Sequence, residues 1–269
     1  MVGTVLMQTL TIAEIKRLSA EADEAELSAL ERSLAGDHRV GVRKVLLAAR
    51  ERLSAGEAER KRLASLYDYE RELAASRGAR VVVGLDEVGR GPLAGPLAVG
   101  AVVLPESPRI EGLNDSKQVP ESKRASIAAE IRAYALAWTV EMVAPHDIDA
   151  LGMTKALKQA FGAAVAAIER AGVAVDLVLL DGNPLRFDER ELNVVKGDTA
   201  CASIAAASIL AKVERDELMV KMDAEYPGYG FAANKGYGTQ AHRDAIHRQG
   251  LCVLHRTSFC SEFIQQSLF

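Results

Sequence analysis

Long apolar runs are missing from this 269-residue chain, and so is any strong excess of one charge. Apolar residues make up 49% of it, enough for a well-formed core but too interrupted by charge for a membrane span. Cysteine is scarce: Cys201, Cys252 and Cys260 form no CxxC pair and leave one thiol over in any disulfide scheme. That excludes a disulfide scaffold and suggests a reducing, cytoplasmic setting. The five histidines lack HExxH or any other zinc spacing, so a soft-metal centre is not expected. The beginning has no basic stretch, and Val2–Leu6 is too short for the apolar part of a secretory signal. Repeats and low-complexity tracts are absent. The net charge of −4 neither predicts nor excludes a polyanionic partner. It is unevenly spread, because between Gly230 and Phe259 the cations Lys235, Arg243, Arg248 and Arg256 face the single acid Asp244.

What is present divides into two regions. Residues 1–79 read as a helical extension in which acidic and basic residues balance. Thr11-Ile12-Ala13-Glu14 is a capping box, with Leu10 and Ile15 placed to staple it. From Glu57 to Ala75, Leu63, Leu66, Tyr67 and Leu73 give an amphipathic helix one apolar side. Residues 80–269 alternate strand and helix patterns, which argues α/β. Strands are expected at Val81–Leu85, Leu97–Leu104, Ala137–Val143 and Asp176–Leu180. Helices are expected from Pro120, over Met153–Arg170, and from Thr199 to Glu225. The first half of that last helix is rich in Ala and Ser, so it can approach a sheet closely.

Four acids stand at the ends of these strands. Asp86 and Glu87 follow Val81–Leu85, Asp181 follows Leu177–Leu180, and Asp198 follows the short run Leu192–Val195. Each has an ordinary account taken singly: a polar strand end, an Asp-Gly-Asn-Pro turn, a helix N-cap. Jointly they are harder to dismiss, because ligands gather at strand ends in α/β sheets. Carboxylates brought together repel one another, and a hard divalent cation relieves the repulsion. The loop Val88–Pro96 is rich in glycine and proline. It lacks the Lys-[Ser/Thr] of a P-loop, and Gly95 comes one residue late for a dinucleotide fingerprint. Its glycines suit a backbone that approaches a ligand, with Arg90 adding charge. Lys117 and Lys196 are candidate phosphate contacts, and Lys235-Gly236-Tyr237 joins a cation to a ring that can stack on a sugar or base.

These residues resemble bacterial ribonuclease HII. The resemblance is carried by Gly84-Leu85-Asp86-Glu87-Val88-Gly89-Arg90-Gly91-Pro92-Leu93-Ala94-Gly95-Pro96, Asn114-Asp115-Ser116-Lys117, Asp181-Gly182-Asn183, Lys196-Gly197-Asp198, Ala202–Lys212, Lys235-Gly236-Tyr237 and His255-Arg256-Thr257-Ser258-Phe259. It implies a ribonuclease-H-like fold, a mixed central sheet flanked by helices, preceded here by the helical extension. It also implies a metal-dependent endoribonuclease that cuts the RNA strand of RNA/DNA hybrids and 5′ of single ribonucleotides embedded in duplex DNA. By the resemblance, Asp86, Glu87, Asp181 and Asp198 are catalytic acids holding two Mn²⁺ or Mg²⁺ ions. Gly89, Arg90 and Gly91 sense the 2′-hydroxyl, and Tyr237 packs on the next sugar. Lys117, Lys196 and Lys212 contact phosphate or balance charge.

Two substitutions depart from the usual motifs: Asn234 stands where histidine is frequent, and Thr199 where serine is common. The competing readings are a ribonuclease HIII-type enzyme, a non-catalytic hybrid-binding protein, and another nuclease of the same fold such as a junction resolvase. Arg90 favours the HII type over HIII, whose loop typically has threonine there. The expected partners are RNA/DNA hybrid and ribonucleotide-containing duplex DNA, with no membrane and a monomeric enzyme. The terminal Ile264-Gln265-Gln266-Ser267-Leu268-Phe269 loosely resembles a replication-clamp-binding peptide.

Overall fold

The computed structural model describes residues 10–265. Met1–Thr9 and Gln266–Phe269 lie outside the described residues, and with them the Val2–Leu6 stretch and most of the clamp-like peptide. The chain forms two compact units, Met1–Ala64 and Ser65–Phe269.

In the first unit, helix α1 (Ile12–Glu21) begins at Thr11, whose hydroxyl accepts from the Glu14 N–H while the Glu14 carboxylate accepts from the Thr11 N–H. Asp23 and Glu26 repeat that reciprocal box at the start of α2 (Glu24–Ser33). Helix α3 (Val40–Ser76) follows, and its residues from Ser65 on belong to the second unit. Ile15, Leu30, Leu34 and Val42 form one apolar cluster, with Leu10 against it as the staple requires. Ala22, Leu27 and Ala49 form a second. Arg52 donates to the Ser19 and Ala22 carbonyls, satisfying groups left over at the end of α1.

The second unit is built on a five-stranded sheet in the order β3-β2-β1-β4-β5. Its strands are β1 (Val82–Val88), β2 (Leu97–Val103), β3 (Ala137–Val143), β4 (Leu177–Asp181) and β5 (Glu191–Val194). The β1–β2 and β2–β3 pairs are antiparallel, and β1–β4 and β4–β5 are parallel, so the sheet is mixed. Between β2 and β3 lies α4 (Glu121–Tyr134), with Pro120 at its N-cap rather than inside its first turn. α5 (Pro145–Leu151) and α6 (Met153–Arg170) connect β3 to β4. One face of the sheet, with Val83, Leu85, Val99, Ala101, Val178 and Leu180, packs on Ala160, Phe161, Ala164, Val165 and Ile168 of α6.

The opposite face receives helix α8 (Ala202–Glu225). The single helix expected from Thr199 is divided: a short turn, α7 (Gly197–Ala200), precedes α8, and extended Cys201 (φ −119°, ψ 135°) separates them. Cys201 has no capping side chain. Glu70 takes that role from a distance, its carboxylate accepting from the Ser203 N–H and hydroxyl at 2.8 Å each. The Ala/Ser half of α8 lies against β1 and β2 so closely that two glycines are required. A Cβ on Gly84 would sit 2.3 Å from the Ser203 carbonyl carbon, and one on Gly100 would sit 2.3 Å from the Ala207 oxygen. The chain closes with α9 (Phe231–Asn234), α10 (Gln240–Gln249), a 3₁₀ turn (Thr257–Phe259) and α11 (Ser261–Gln265).

Candidate active site

Strand register begins the site. β1 and β4 run parallel from Val82 opposite Leu177 to Leu85 opposite Leu180. One further step sets Asp86 beside Asp181 on strands about 4.8 Å apart. Alternation puts both on the α8 face, Asp86 two residues after Gly84 and Asp181 two after Leu179. β1 extends beyond Leu85 because β2 keeps pairing with it, Asp86 opposite Gly100 and Glu87 opposite Val99. The acidic pair is therefore part of the ladder and not of the loop after it.

Asp86 is 7% exposed. Burial drives its pKa well above the ordinary carboxylate value. The Ser208 hydroxyl bond opposes that rise, and the charges of Glu87 and Asp181 add to it. Its Oδ1 also accepts from the Glu87 N–H at 2.8 Å. Glu87 is raised as well, first by burial and further by Asp181, while its ion pair with Arg90 at 3.1 Å pulls the other way. Asp181 Oδ1 accepts from the Gly197 N–H at 2.6 Å, which fastens α7 to the end of β4. Lys196 makes the approach in the left-handed region at φ 56°. Asp198 follows it, inside α7, and serves as N-cap to neither α7 nor α8. Burial and the charges of Asp181 and Asp115 raise its pKa.

Lys117 faces this cluster on an exposed side chain. Desolvation lowers its pKa, but attraction by Asp115, Asp86, Asp198 and Asp181 outweighs that and raises it. Its main-chain N–H donates to Asp115 Oδ1 at 2.9 Å. The other lysines stand differently. Lys196 is exposed, and Lys212 is committed to Asp216 at 2.8 Å on its own helix. Tyr237 is 42% exposed, with the Arg215 guanidinium 6.0 Å from its ring centre. The Lys235-Gly236-Tyr237 turn lies directly on the glycine loop, since Leu93 N–H and Ala94 N–H both donate to the Gly236 carbonyl, at 2.9 and 3.2 Å. On the loop itself, Gly89 takes φ 97°, and Gly91 faces open space.

Several contributors were given no role of their own by the sequence, although Asp115, Ser208, His255 and Arg256 lie inside the motifs that carry the resemblance. Ser208 bonds both Asp86 and, at 2.9 Å, the Ser116 hydroxyl, and so ties the Asn114–Lys117 loop to the first acid. Asp115, 9% exposed, adds a fifth carboxylate to the field. Arg215 and Arg256 are both 0% exposed and donate to carbonyls of the glycine loop. His242 and His255 meet at 3.1 Å between their Nε2 atoms, and His242 Nδ1 lies 2.9 Å from the Tyr237 carbonyl. The signal for Ser208 was a hydroxyl in an otherwise alanine-rich helix. For Arg256 it was a cation-rich segment with almost no acids; Arg215, between Glu214 and Asp216, gave no such sign.

Among the described residues, no three His, Cys, Asp or Glu side chains are already grouped as ligands of a metal ion. Each acid is instead engaged by a hydrogen bond or an opposing charge. The donor chemistry nonetheless fits a hard cation: Asp86, Glu87, Asp181 and Asp198 all offer carboxylate oxygens. No described helix is long and apolar enough to cross a membrane.

Comparison with known proteins agrees over both units. The family model for Ribonuclease HII matches residues 83–262, and that for the Ribonuclease HII N-terminal domain matches residues 11–74. A ribonuclease HII of Ruminiclostridium cellulolyticum is 40% identical over 262 residues, covering 96% of this chain and all of that protein. One from Moorella thermoacetica is 49% identical over 209 residues, 77% of this chain and 98% of that protein. Among solved structures, ribonuclease H2 from Pyrococcus horikoshii superposes with a TM-score of 0.59 at 24% identity, covering 70% of this chain and 98% of that one. An Archaeoglobus fulgidus RNase HII, solved in complex with PCNA, gives 0.56 at 25% identity, over 66% of this chain and 94% of that one. This chain therefore belongs to the ribonuclease HII family and is an RNase H-type hydrolase.

Proposed function

We propose that this hydrolase is a divalent-metal-dependent endonuclease that cuts the RNA strand of RNA/DNA hybrids and the 5′ side of single ribonucleotides in duplex DNA, leaving 3′-hydroxyl and 5′-phosphate ends. The observation that carries the proposal is the parallel register of β1 and β4, which sets Asp86 beside Asp181 where Glu87, Asp198 and Lys117 share one field. Burial raises the pKa of Asp86, Glu87 and Asp198, and the charge of Asp181 raises each further, so these anions are favoured once a cation joins them. Asp86, Glu87, Asp181 and Asp198 would hold Mg²⁺ or Mn²⁺, two ions once substrate is present. Such ions supply water activation and stabilisation of the leaving 3′-oxygen.

The chain's own residues do the rest. Ser208 holds Asp86 against α8, and the Gly197 N–H holds Asp181, so both acids meet the substrate from fixed strands. Gly89, Arg90 and Gly91 meet the ribonucleotide, Arg90 beside the phosphate and the backbone beside the 2′-hydroxyl. Tyr237 offers a ring to the neighbouring sugar, and Lys117 and Lys196 offer charge to the flanking phosphates. A contact to the terminal peptide by a replication clamp is a separate proposal, supported by the archaeal relative solved with PCNA.

A nicking assay on a duplex with one embedded ribonucleotide tests the reading. Wild type cuts on the 5′ side of the ribonucleotide, EDTA abolishes cutting, and Asp86→Asn is inactive with an unchanged circular dichroism spectrum. Wild-type activity in Asp86→Asn removes that residue from the site. Binding without any cutting would favour the non-catalytic alternative.

A further inference from the structure

The glycine loop is gripped from beneath by two buried arginines that form no ion pair among the described residues. Arg256 donates from Nη2 to the Gly89 carbonyl at 2.7 Å and from Nη1 to the Arg90 carbonyl at 3.0 Å, and it binds the Gly95 carbonyl through Nε and Nη2 at 3.0 and 2.8 Å. Arg215 donates to the Pro96 and Ala94 carbonyls at 2.8 and 3.3 Å, and its Nη1 is buried without a partner. Burying a guanidinium without a carboxylate is costly, so this arrangement needs a compensating reason.

The peptide unit supplies one. It is planar and trans, so its C=O and N–H point in opposite directions. Drawing the Gly89 and Arg90 oxygens inward onto one rigid, planar fork turns the N–H groups of Arg90 and Gly91 outward, side by side. They emerge where Gly91 faces open space. Beyond Pro92 the loop is fastened: Leu93 and Ala94 N–H reach the Gly236 carbonyl, and Gly95 N–H reaches the Leu254 carbonyl at 2.8 Å. The Arg256 N–H itself bonds the Leu93 carbonyl at 2.8 Å, so the residue is anchored on the loop it organises. Paired outward N–H groups form a concavity suited to one electronegative oxygen.

We propose that Arg256 is a positioning residue for ribose recognition, fixing the Gly89–Arg90 and Arg90–Gly91 peptide planes so that two adjacent N–H groups meet the 2′-hydroxyl of the ribonucleotide. This rests on the reading that Gly89-Arg90-Gly91 faces the ribonucleotide, and adds what shapes it. A guanidinium that merely filled space would support folding without affecting the choice between ribose and deoxyribose.

The test compares full-length wild type, Arg256→Gln and Arg256→Lys on two duplexes identical except for one ribonucleotide. Affinities are read by fluorescence anisotropy without divalent cations, so nothing is cut. Amide exchange over residues 89–95 is followed in the free proteins. Arg256→Gln is expected to lose roughly tenfold in preference for the ribonucleotide duplex, with affinity for the all-deoxy duplex kept within about twofold. Exchange at Arg90 and Gly91 is expected to accelerate. Arg256→Lys keeps the charge but cannot span three carbonyls; it falls between, and it decides the matter if Arg256→Gln does not fold. Unchanged preference in both variants, equal loss on both duplexes, or wild-type exchange of the loop overturns the proposal. Wild type showing no preference defeats the substrate reading and the ribose role together, while the exchange result still decides whether Arg256 holds the loop.

Discussion

Replacing Gly84 by alanine should separate helix α8 from the sheet. The added carbon would lie 2.3 Å from the Ser203 carbonyl carbon and hydroxyl oxygen and 2.4 Å from the Ile204 nitrogen. Two of these three are main-chain atoms, so no rotamer change relieves the overlap. Ordinary contact needs about 3.5 Å, and 3.5 less 2.3 leaves about 1.2 Å for the first turn of α8 to retreat. Overpacking that forces a backbone shift costs about 1–3 kcal/mol, and the backbone identity of the obstacles places Gly84→Ala near the top of that range. Gly162, in the middle of α6, is the control, because a carbon there would touch nothing within 4 Å. Gly162→Ala should stabilise by about 0.5–1 kcal/mol through helix propensity alone. Urea titration reads both, as shifts of midpoint at constant slope. Activity should follow the same order, since a retreating α8 carries Ser208 away from Asp86. Gly84→Ala within about 0.5 kcal/mol of wild type, with full activity, would refute the claim that close helix–sheet approach builds the site.

Two further outcomes follow from single groups. His255 is buried beside His242 and its Nδ1 accepts from the Cys252 N–H, so burial and then the neighbouring imidazole hold its pKa down to about 4. With the folded value depressed below about 6.5, the unfolded chain binds the proton first. Stability is therefore full above pH 6.5 and declines as pH falls toward 4, by roughly 3 kcal/mol at about 1.36 kcal/mol per pH unit. Urea midpoints at pH 7 and pH 4.5 measure it, and His255→Gln should flatten the difference; a slope equal to wild type would refute the assignment. Ser208→Ala should cost about 1–2 kcal/mol, because the Ser116 hydroxyl and Asp86 each lose a partner. It should also move the acid limb of the rate profile to higher pH, since the lost bond opposes the rise in the Asp86 pKa. An acid limb that stays in place would show that Ser208 does not act on Asp86.

Legibility followed the range of the interaction. The Thr11–Glu14 box was readable because its partners lie three residues apart, and the α6 face because apolar spacing is local. The Ala/Ser run foretold the tight packing of α8, although its partners Gly84 and Gly100 gave no sign by themselves. The acids were visible as strand ends, but Asp86 meets Asp181 only through a parallel register that no local pattern encodes. The break at Cys201 was missed because the capping carboxylate comes from Glu70, 133 positions away. Arg256 was named as a cation and within a motif, but its hold on the loop was missed for the same reason, its partner Gly89 being 167 positions distant. A general argument could have flagged it: a loop rich in glycine and proline carries carbonyls without sheet partners, and buried carbonyls need donors from somewhere.

The electrostatic layout explains why that donor is arginine. On one side of the glycine loop stand Asp86 and Glu87, carboxylates that burial makes reluctant to ionise. Beneath the loop stand Arg215 and Arg256, cations whose pKa values burial lowers, Arg256 to about 10. Direct pairing of the two sets would neutralise both and fill the cleft with an internal salt bridge. The loop prevents this by taking the guanidinium donors on its own carbonyls. The acids are thereby left to other cations, and the positive field is projected through the peptide dipoles to the loop's outer surface. The proposed chemistry, a phosphodiester next to a hard cation, would draw on both halves of that arrangement: carboxylates not paired with Arg215 or Arg256, and a backbone whose exposed edge is positive. Swapping either arginine for a shorter or neutral side chain should therefore disturb the loop first and the acids second. That order distinguishes a division of charge across the loop from a conventional ion-paired core.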